Sequence, residues 1–479
     1  MIKWLNENIF KFRDCFSRRA SFQWFVIVII WLMTRKDFQG ITGAIRDLFI
    51  SPHLYTALLN FFHANSWNIE GIVSKWVKII KESNCIMEKD GYYILLGDGI
   101  KKGKEAKKMP GVKKHHQESE NTTKPTYIFG HLFGVVGLLI GNQAHKFCVP
   151  VSAQIQNGAS IIRNFSKENK TDESHVVQMI NQGCQITSLL QHQSVIVLDR
   201  YFLTAPALAA LATFKKENPT SKIAIVTRAK INATANDKPI SKEKRGRGRP
   251  ALLGPKIKLK DLFVTQTEKF QTVKAVLYGQ SVDVSYLCVN LLWDKDTQLR
   301  YVLVTYKGKQ SILVCSDLSM DPLTIIELYG IRQKIEVTFK SLNQTIGGFD
   351  YHFWNKQMPK LDRYRKKDTP DPIEAIDDEK VQKSIQTTLK AIEGYVTMSC
   401  IANGLLQIIS NLFTPELTQC PLRWLRTPNV SAPSEATVSD ILRRKILMGF
   451  FAGFKNSSFF PIIAIIRAKQ LDTAKRLAS

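Results

Sequence analysis

None of the eight cysteines stands in a C-x-x-C spacing with another. Scattered single cysteines in apolar surroundings exclude a disulfide framework and a cysteine zinc site, and they point to a reducing, cytosolic compartment. Long apolar runs are missing too. The most apolar stretch, residues 22–33, covers 12 residues and includes Gln23, short of the roughly 18 that cross a bilayer. No small-residue cleavage site follows it, because Trp31, Leu32 and Met33 run into Thr34-Arg35-Lys36. A buried helix is expected there rather than a signal peptide, and no membrane partner. Internal repeats are absent, which excludes solenoids and propellers. Acidic residues are scarce: 41 Asp+Glu stand against 67 Lys+Arg, a formal charge of +26.

That excess favours a polyanionic partner, since each phosphate neutralised releases a condensed counterion. A ribosome or an anionic surface would attract the same charge. With 479 residues, 44% of them apolar, the chain has material for about two to four packed domains.

Residues 1–90 carry apolar residues at helical spacing among scattered lysines and arginines. This predicts a helical region, a DNA-binding domain or a cap on the core. From Tyr92 the pattern changes. Short apolar runs at 92–96, 127–140, 145–156, 194–198 and 223–227 read as strands, with helices over 173–191 and 204–217. Three strands, a helix, a strand, a helix and a strand make an α/β order over 91–230. Residues 231–315 read as a β-rich insertion that opens on a basic, Gly- and Pro-rich stretch. Residues 316–350 hold one helix that completes the core. Residues 351–479 form a helical C-terminal region.

Asp98 and Asp199 each follow a buried-strand run directly. Sites in open α/β sheets form at the carboxyl ends of strands. An aspartate buried there needs a cation, and hard divalent cations take oxygen ligands. The third carboxylate is expected from the later helix. Tyr329, Arg332 and Glu336 fall at i, i+3 and i+7, on one helical face that Lys340 and Asn343 continue. A solvated helix face has the same spacing. The chemistry of the row suits a metal site flanked by phosphates, with Arg332 as a bidentate clamp.

These residues resemble the DDE transposases of bacterial insertion sequences, which have a ribonuclease-H-like core. One large group of that family carries the signature Y-x2-R-x3-E-x6-K. Tyr329, Arg332 and Glu336 match it; Asn343 stands where the lysine would be. The stretches around Asp98 and Asp199 fit the family's first and second aspartates, and the resemblance covers roughly residues 90–350. It implies a ribonuclease-H-like core with a β-rich insertion, flanked by helical regions. It implies catalytic and metal-binding roles for Asp98, Asp199 and Glu336 around two Mg2+ or Mn2+ ions. It implies cleavage at element ends and strand transfer into double-stranded target DNA, by a homodimer on DNA in a bacterial cytoplasm. Two other readings are a related nuclease that cuts without joining and a transposase-derived DNA-binding protein without catalysis.

DNA contacts are expected from Tyr329, Arg332 and Lys340, and from the basic loop Lys101, Lys102, Lys104, Lys107, Lys108, Lys113 and Lys114. Arg245, Arg247 and Arg249 alternate with glycine, as in peptides that enter an A·T minor groove, or form a charged linker. His115-His116 is weak evidence for zinc. His131 is expected in the core. Trp354 either stacks on a base or anchors the core. Glu393 rivals Glu336 but lacks its arginine and tyrosine companions.

Overall fold

Uninterrupted apolar strands must be buried on both faces, and three such runs pair in parallel here. In the computed structural model, which describes residues 1–36, 40–48, 50–117, 125–142, 145–165, 173–239, 251–362, 369–420 and 432–452, Tyr93 to Leu96 lie beside Ser194 to Val197. Ser194 to Val197 lie in turn beside Ile223 to Val226. Ile94, Leu95, Leu96, Val195, Ile196 and Val197 are all buried.

These strands belong to one of two compact units, formed by residues 87–98 and 180–336. The β-rich segment does not stand apart within it. Its last strand, Lys309–Cys315, pairs antiparallel with the end of Ile223–Ala229. Gln298–Tyr306, Gln280–Leu292 and Gln271–Leu277 follow as an antiparallel meander. Two of its turns need left-handed backbone: Tyr278-Gly279 and Lys307-Gly308 all have positive φ, the geometry of tight hairpin turns. Leu259, Leu299, Tyr301, Leu303 and Ile312 form the core under this meander.

The other unit comprises residues 1–86, 99–179 and 337–479. Tyr127–Gly141 and Lys146–Ile155 make its main hairpin. The helix Glu379–Leu412 packs on Lys146–Ile155 and on the helices Arg19–Thr34, Tyr55–His63 and Ile69–Glu82. The N-terminal helices therefore share a unit with the C-terminal ones. The sequence division at 90, 230, 315 and 350 differs from this one, because the units are assembled from distant segments. Arg19–Thr34 is buried over residues 25–34, as expected. Among the described residues, Glu379–Leu412 is long and apolar enough to cross a membrane, but its apolar window lies wholly within protein. Gly394 and Gly404 let the rings of Trp67 and Trp76 lie against it. The fold is mixed α/β, as the element order predicts.

His131 is a core histidine. It is fully buried, with Nε2 2.8 Å from the Pro110 carbonyl and Nδ1 2.5 Å from the Tyr351 hydroxyl. The pair fits a neutral ring that donates to Pro110 and accepts from Tyr351. Burial, opposed by the Pro110 bond, pushes its pKa down to about 3. The unfolded ring binds a proton near pH 6.5, and the folded ring does so only near pH 3. Stability is therefore full above pH 7 and falls between pH 6.5 and 3, by about 1.4 kcal/mol per pH unit. His131→Gln should show a shallower acid decline of the urea midpoint. Superimposable acid limbs would refute this role.

Candidate active site

Asp98 closes the buried stretch of the strand Tyr92–Gly103. Asp199 follows Ser194–Val197 by two residues and opens the short turn Arg200–Phe202. The chain there is held from both sides: Leu198 N donates to the Val226 carbonyl at 2.9 Å, and the Thr227 hydroxyl donates to the Asp199 carbonyl at 2.9 Å. Both aspartates are part-exposed. Asp199 lies just beyond an apolar core strand, as the carboxyl-end rule predicts; Asp98 follows the apolar run but sits inside its strand, which continues to Gly103.

The helix Pro322–Ile331 starts on Asp321, whose carboxylate accepts from Thr324 N at 3.1 Å. It is tied to its surroundings by Thr324 to Asp90 and by Lys89 to Glu327. Glu327 also accepts from Val276 N at 2.8 Å. The spacing predicts one helix running through to Glu336, but the helix is interrupted before it. A turn at Arg332-Gln333 separates it from Lys334–Ser341. Arg332 keeps right-handed backbone angles (φ −47°, ψ −40°). The hydrogen bonds tighten to three-residue spacing: Arg332 N to Tyr329 O at 3.2 Å, Ile335 N to Arg332 O at 3.2 Å and Glu336 N to Gln333 O at 3.1 Å. This tighter winding still leaves Tyr329, Arg332 and Glu336 as neighbours.

Arg332 is their centre. Its Nη1 donates to Asp98 at 3.1 Å and its Nη2 to Glu336 at 2.8 Å. Its side chain is 18% exposed, against 23% for Asp98 and 56% for Glu336. Burial alone would lower the Arg332 pKa. The carboxylates of Asp98, Asp199 and Glu336 outweigh it, with Tyr329 adding to them, and hold the guanidinium above its ordinary value. Tyr329 is shifted up, first by burial and then by Asp199; Arg228, Arg332 and Arg200 oppose that rise. All three acids thus act on one guanidinium, within one unit.

Among the described residues, no three acidic, histidine or cysteine side chains form a ready-made metal cage. The donors are nonetheless oxygen-only, the chemistry that a hard divalent cation requires. A cation entering among them competes with Arg332 for the same oxygens.

Arg200 and Arg228 were not singled out in the sequence. The signal was present: each borders an apolar strand end, and Arg200 directly follows Asp199. An open cleft of about 550 Å³ lies beside Arg200, lined also by Lys230, Asn232, Thr234 and Trp293.

The basic segment belongs to the other unit, and it is not one loop. Lys101 and Lys102 continue the strand Tyr92–Gly103, and Lys113 and Lys114 lie in the strand Lys113–His116. Lysines 102 and 104 turn inward. Lys102 donates to the side-chain carbonyl of Asn343, and Lys104 to the carbonyls of Phe349 (2.5 Å) and Tyr351 (3.0 Å). Lys107, Lys114 and Lys340 are exposed. Asn343, at the signature's lysine position, sits in a π-helical turn, Leu342–Ile346.

Glu393 is structural. It is buried in the same unit as Lys102, accepts from Ile155 N at 2.8 Å and pairs with Arg163. His115 is buried against the Gly130 carbonyl at 3.2 Å, and burial pushes its pKa down to about 4. Trp354 is 63% exposed, so it does not anchor the core. Arg245, Arg247 and Arg249 lie outside the described residues. No family model, curated protein or solved structure matches the chain.

Proposed function

We propose that the chain is a DNA transposase of the DDE type, with a ribonuclease-H-like core. The observation that carries this reading is that Arg332 hydrogen-bonds to both Asp98 and Glu336, while the Asp199 carboxylate adds to the field on the same guanidinium. Those three acids and the two signature companions, Tyr329 and Arg332, come from three separated stretches of sequence. A solvated helix face gives no reason for Asp98 to hydrogen-bond to Arg332. The parallel order of residues 93–96, 194–197 and 223–226 supports the core reading. So does the antiparallel hairpin of residues 127–155, formed before the first crossover helix.

Asp98, Asp199 and Glu336 would hold Mg2+ or Mn2+ through hard oxygen donors. When bound, two such ions supply activation of a water or a 3′-hydroxyl and stabilisation of the leaving oxygen. Arg332 neutralises the acids in the resting site. Its forked donors also match a phosphodiester, so DNA backbone can take the place of a carboxylate partner. Tyr329 offers a hydroxyl that feels the charges of Arg228, Arg332 and Asp199. Cleavage and joining each exchange one phosphodiester for another or for water, so the chemistry needs no nucleotide cofactor. The DNA partner is double-stranded, and two protomers would bridge paired ends.

The test is incubation of the purified protein with DNA carrying its own element's ends, with magnesium or manganese. Nicking at the ends followed by joined product supports the reading. Nicking without joining would make it a nuclease, and duplex binding without either would make it a non-catalytic DNA-binding protein.

Lys340, one turn after Glu336, should supply a phosphate contact worth about 1.5–3 kcal/mol. Lys340→Ala should slow joining of a pre-cut end about ten- to a hundredfold, and Asn343→Ala much less. A wild-type rate in Lys340→Ala would show that this lysine is an ordinary solvated side chain and that the phosphate contact is supplied elsewhere or lost.

A further inference from the structure

Residues 351–356 alternate strictly between buried and exposed. The inner set is Tyr351, Phe353 and Asn355. Phe353 packs on Phe62 at 5.2 Å between ring centres and on Tyr395 at 6.3 Å. The Asn355 amide donates to the hydroxyls of Ser384 and Thr388, both at 2.9 Å. The outer set is His352, Trp354 and Lys356. A slip of one residue would expose Phe353 and bury Trp354, so clamping both neighbours fixes the indole outward.

An exposed tryptophan is informative, because indoles are ordinarily well buried. Its surroundings are cationic. Asn355 N donates to the Lys108 carbonyl at 2.9 Å, and Leu361 N to the Lys107 carbonyl at 2.9 Å. These bonds lay the segment along the lysine-rich stretch. The Lys108 ammonium reaches the Lys356 carbonyl at 2.7 Å, and Lys107 and Lys356 are exposed. Residues 352–361 contain two lysines and no acid.

We infer that the Trp354 ring, on a segment that carries the exposed Lys356 and is laid along the exposed Lys107, is a platform for an unpaired stretch of DNA. One base stacks on the indole, and the lysines neutralise the flanking phosphates. This rests on the DNA reading above and adds a partner to it. Bases inside a duplex have no open face, so an indole fixed in this way selects single-stranded DNA. Base–aromatic stacking tolerates every sequence, and the surrounding charge makes it salt-dependent.

The experiment uses the full chain, a fluorescein-labelled oligothymidylate and a blunt duplex of equal length. Trp354→Ala should weaken oligothymidylate binding roughly tenfold and duplex binding far less, while Trp354→Phe keeps most of the affinity. Lys107→Gln with Lys356→Gln should reduce the salt dependence of oligothymidylate binding. Unchanged oligothymidylate affinity in Trp354→Ala would overturn the inference. Altered sedimentation of that variant with intact single-strand affinity would overturn it too, assigning the indole to a protein contact. In either case, duplex cleavage by the wild type would leave the transposase reading standing. Failure of the wild type to bind either DNA would remove both.

Discussion

Asp98→Ala, Asp199→Ala and Glu336→Gln should each reduce DNA cleavage by about a thousandfold or more, beyond the ~10²–10³ that loss of one aligned electrostatic donor costs. Duplex affinity should stay within a few-fold, because these residues add negative charge and phosphate contacts would come from lysines and arginines. Stability shifts little at Glu336, whose side chain is 56% exposed. It shifts more at Asp98, where Arg332 loses a partner in a part-buried site; Asp98→Asn keeps the shape there and separates the two effects. Glu393→Gln gives the contrast. That carboxylate accepts from Ile155 N and pairs with Arg163 inside the other unit. Its replacement should lower the unfolding midpoint, at a cost of about 1–3 kcal/mol, and leave the cleavage rate per folded molecule unchanged. Cleavage assays on pre-formed protein–DNA complexes, with unfolding midpoints measured alongside, resolve all five variants. Substantial cleavage by any two of the first three would overturn the assignment.

Apolar pattern made the core strands legible. Residues 92–96, 194–198 and 223–227 read as buried strands because parallel strands covered on both faces leave few polar positions. The aspartates stood out because each ends such a run. The helix pattern of Tyr329, Arg332 and Glu336 revealed their proximity but not the break at Arg332. That residue keeps right-handed backbone through the turn, so nothing in the local composition marks the change of hydrogen bonding. The lysines misled most. A run of lysines reads as solvated, yet Lys104 is sunk between two backbone carbonyls and the Tyr351 ring, at 3.8 Å from its centre. Burial pushes its pKa down to about 8. Those carbonyls come from about 245 residues away in sequence, and no local pattern reports them. Trp354 was ambiguous for a similar reason: whether an indole packs or projects depends on what clamps its neighbours.

DNA affinity should fall by about 10³–10⁵ between 50 and 200 mM salt if the protein meets six to ten phosphates. The structure separates the lysines that can contribute. Lys101 donates to the His116 carbonyl at 2.7 Å, and Lys102 to Asn343. Lys104 and Lys108 are likewise bound to backbone carbonyls. Lys107 and Lys114 are exposed and Lys113 half-buried; Lys114 lies over the Tyr127 ring at 4.5 Å. Replacing Lys107, Lys113 and Lys114 by glutamine should therefore reduce the slope of log affinity against log salt by about 0.9 for each phosphate that is no longer neutralised, or roughly 2.7 if all three touch DNA. Lys104→Gln should act differently. It strips the ammonium from two carbonyls that hold residues 349–351, so it should lower the unfolding midpoint and leave the slope nearly unchanged. The measurement is fluorescence anisotropy with an element-end duplex across a salt series, with each variant's folding checked by circular dichroism. An unchanged slope in the triple variant would mean that this surface faces away from DNA. The charge excess would then have to act through lysines and arginines elsewhere in the chain.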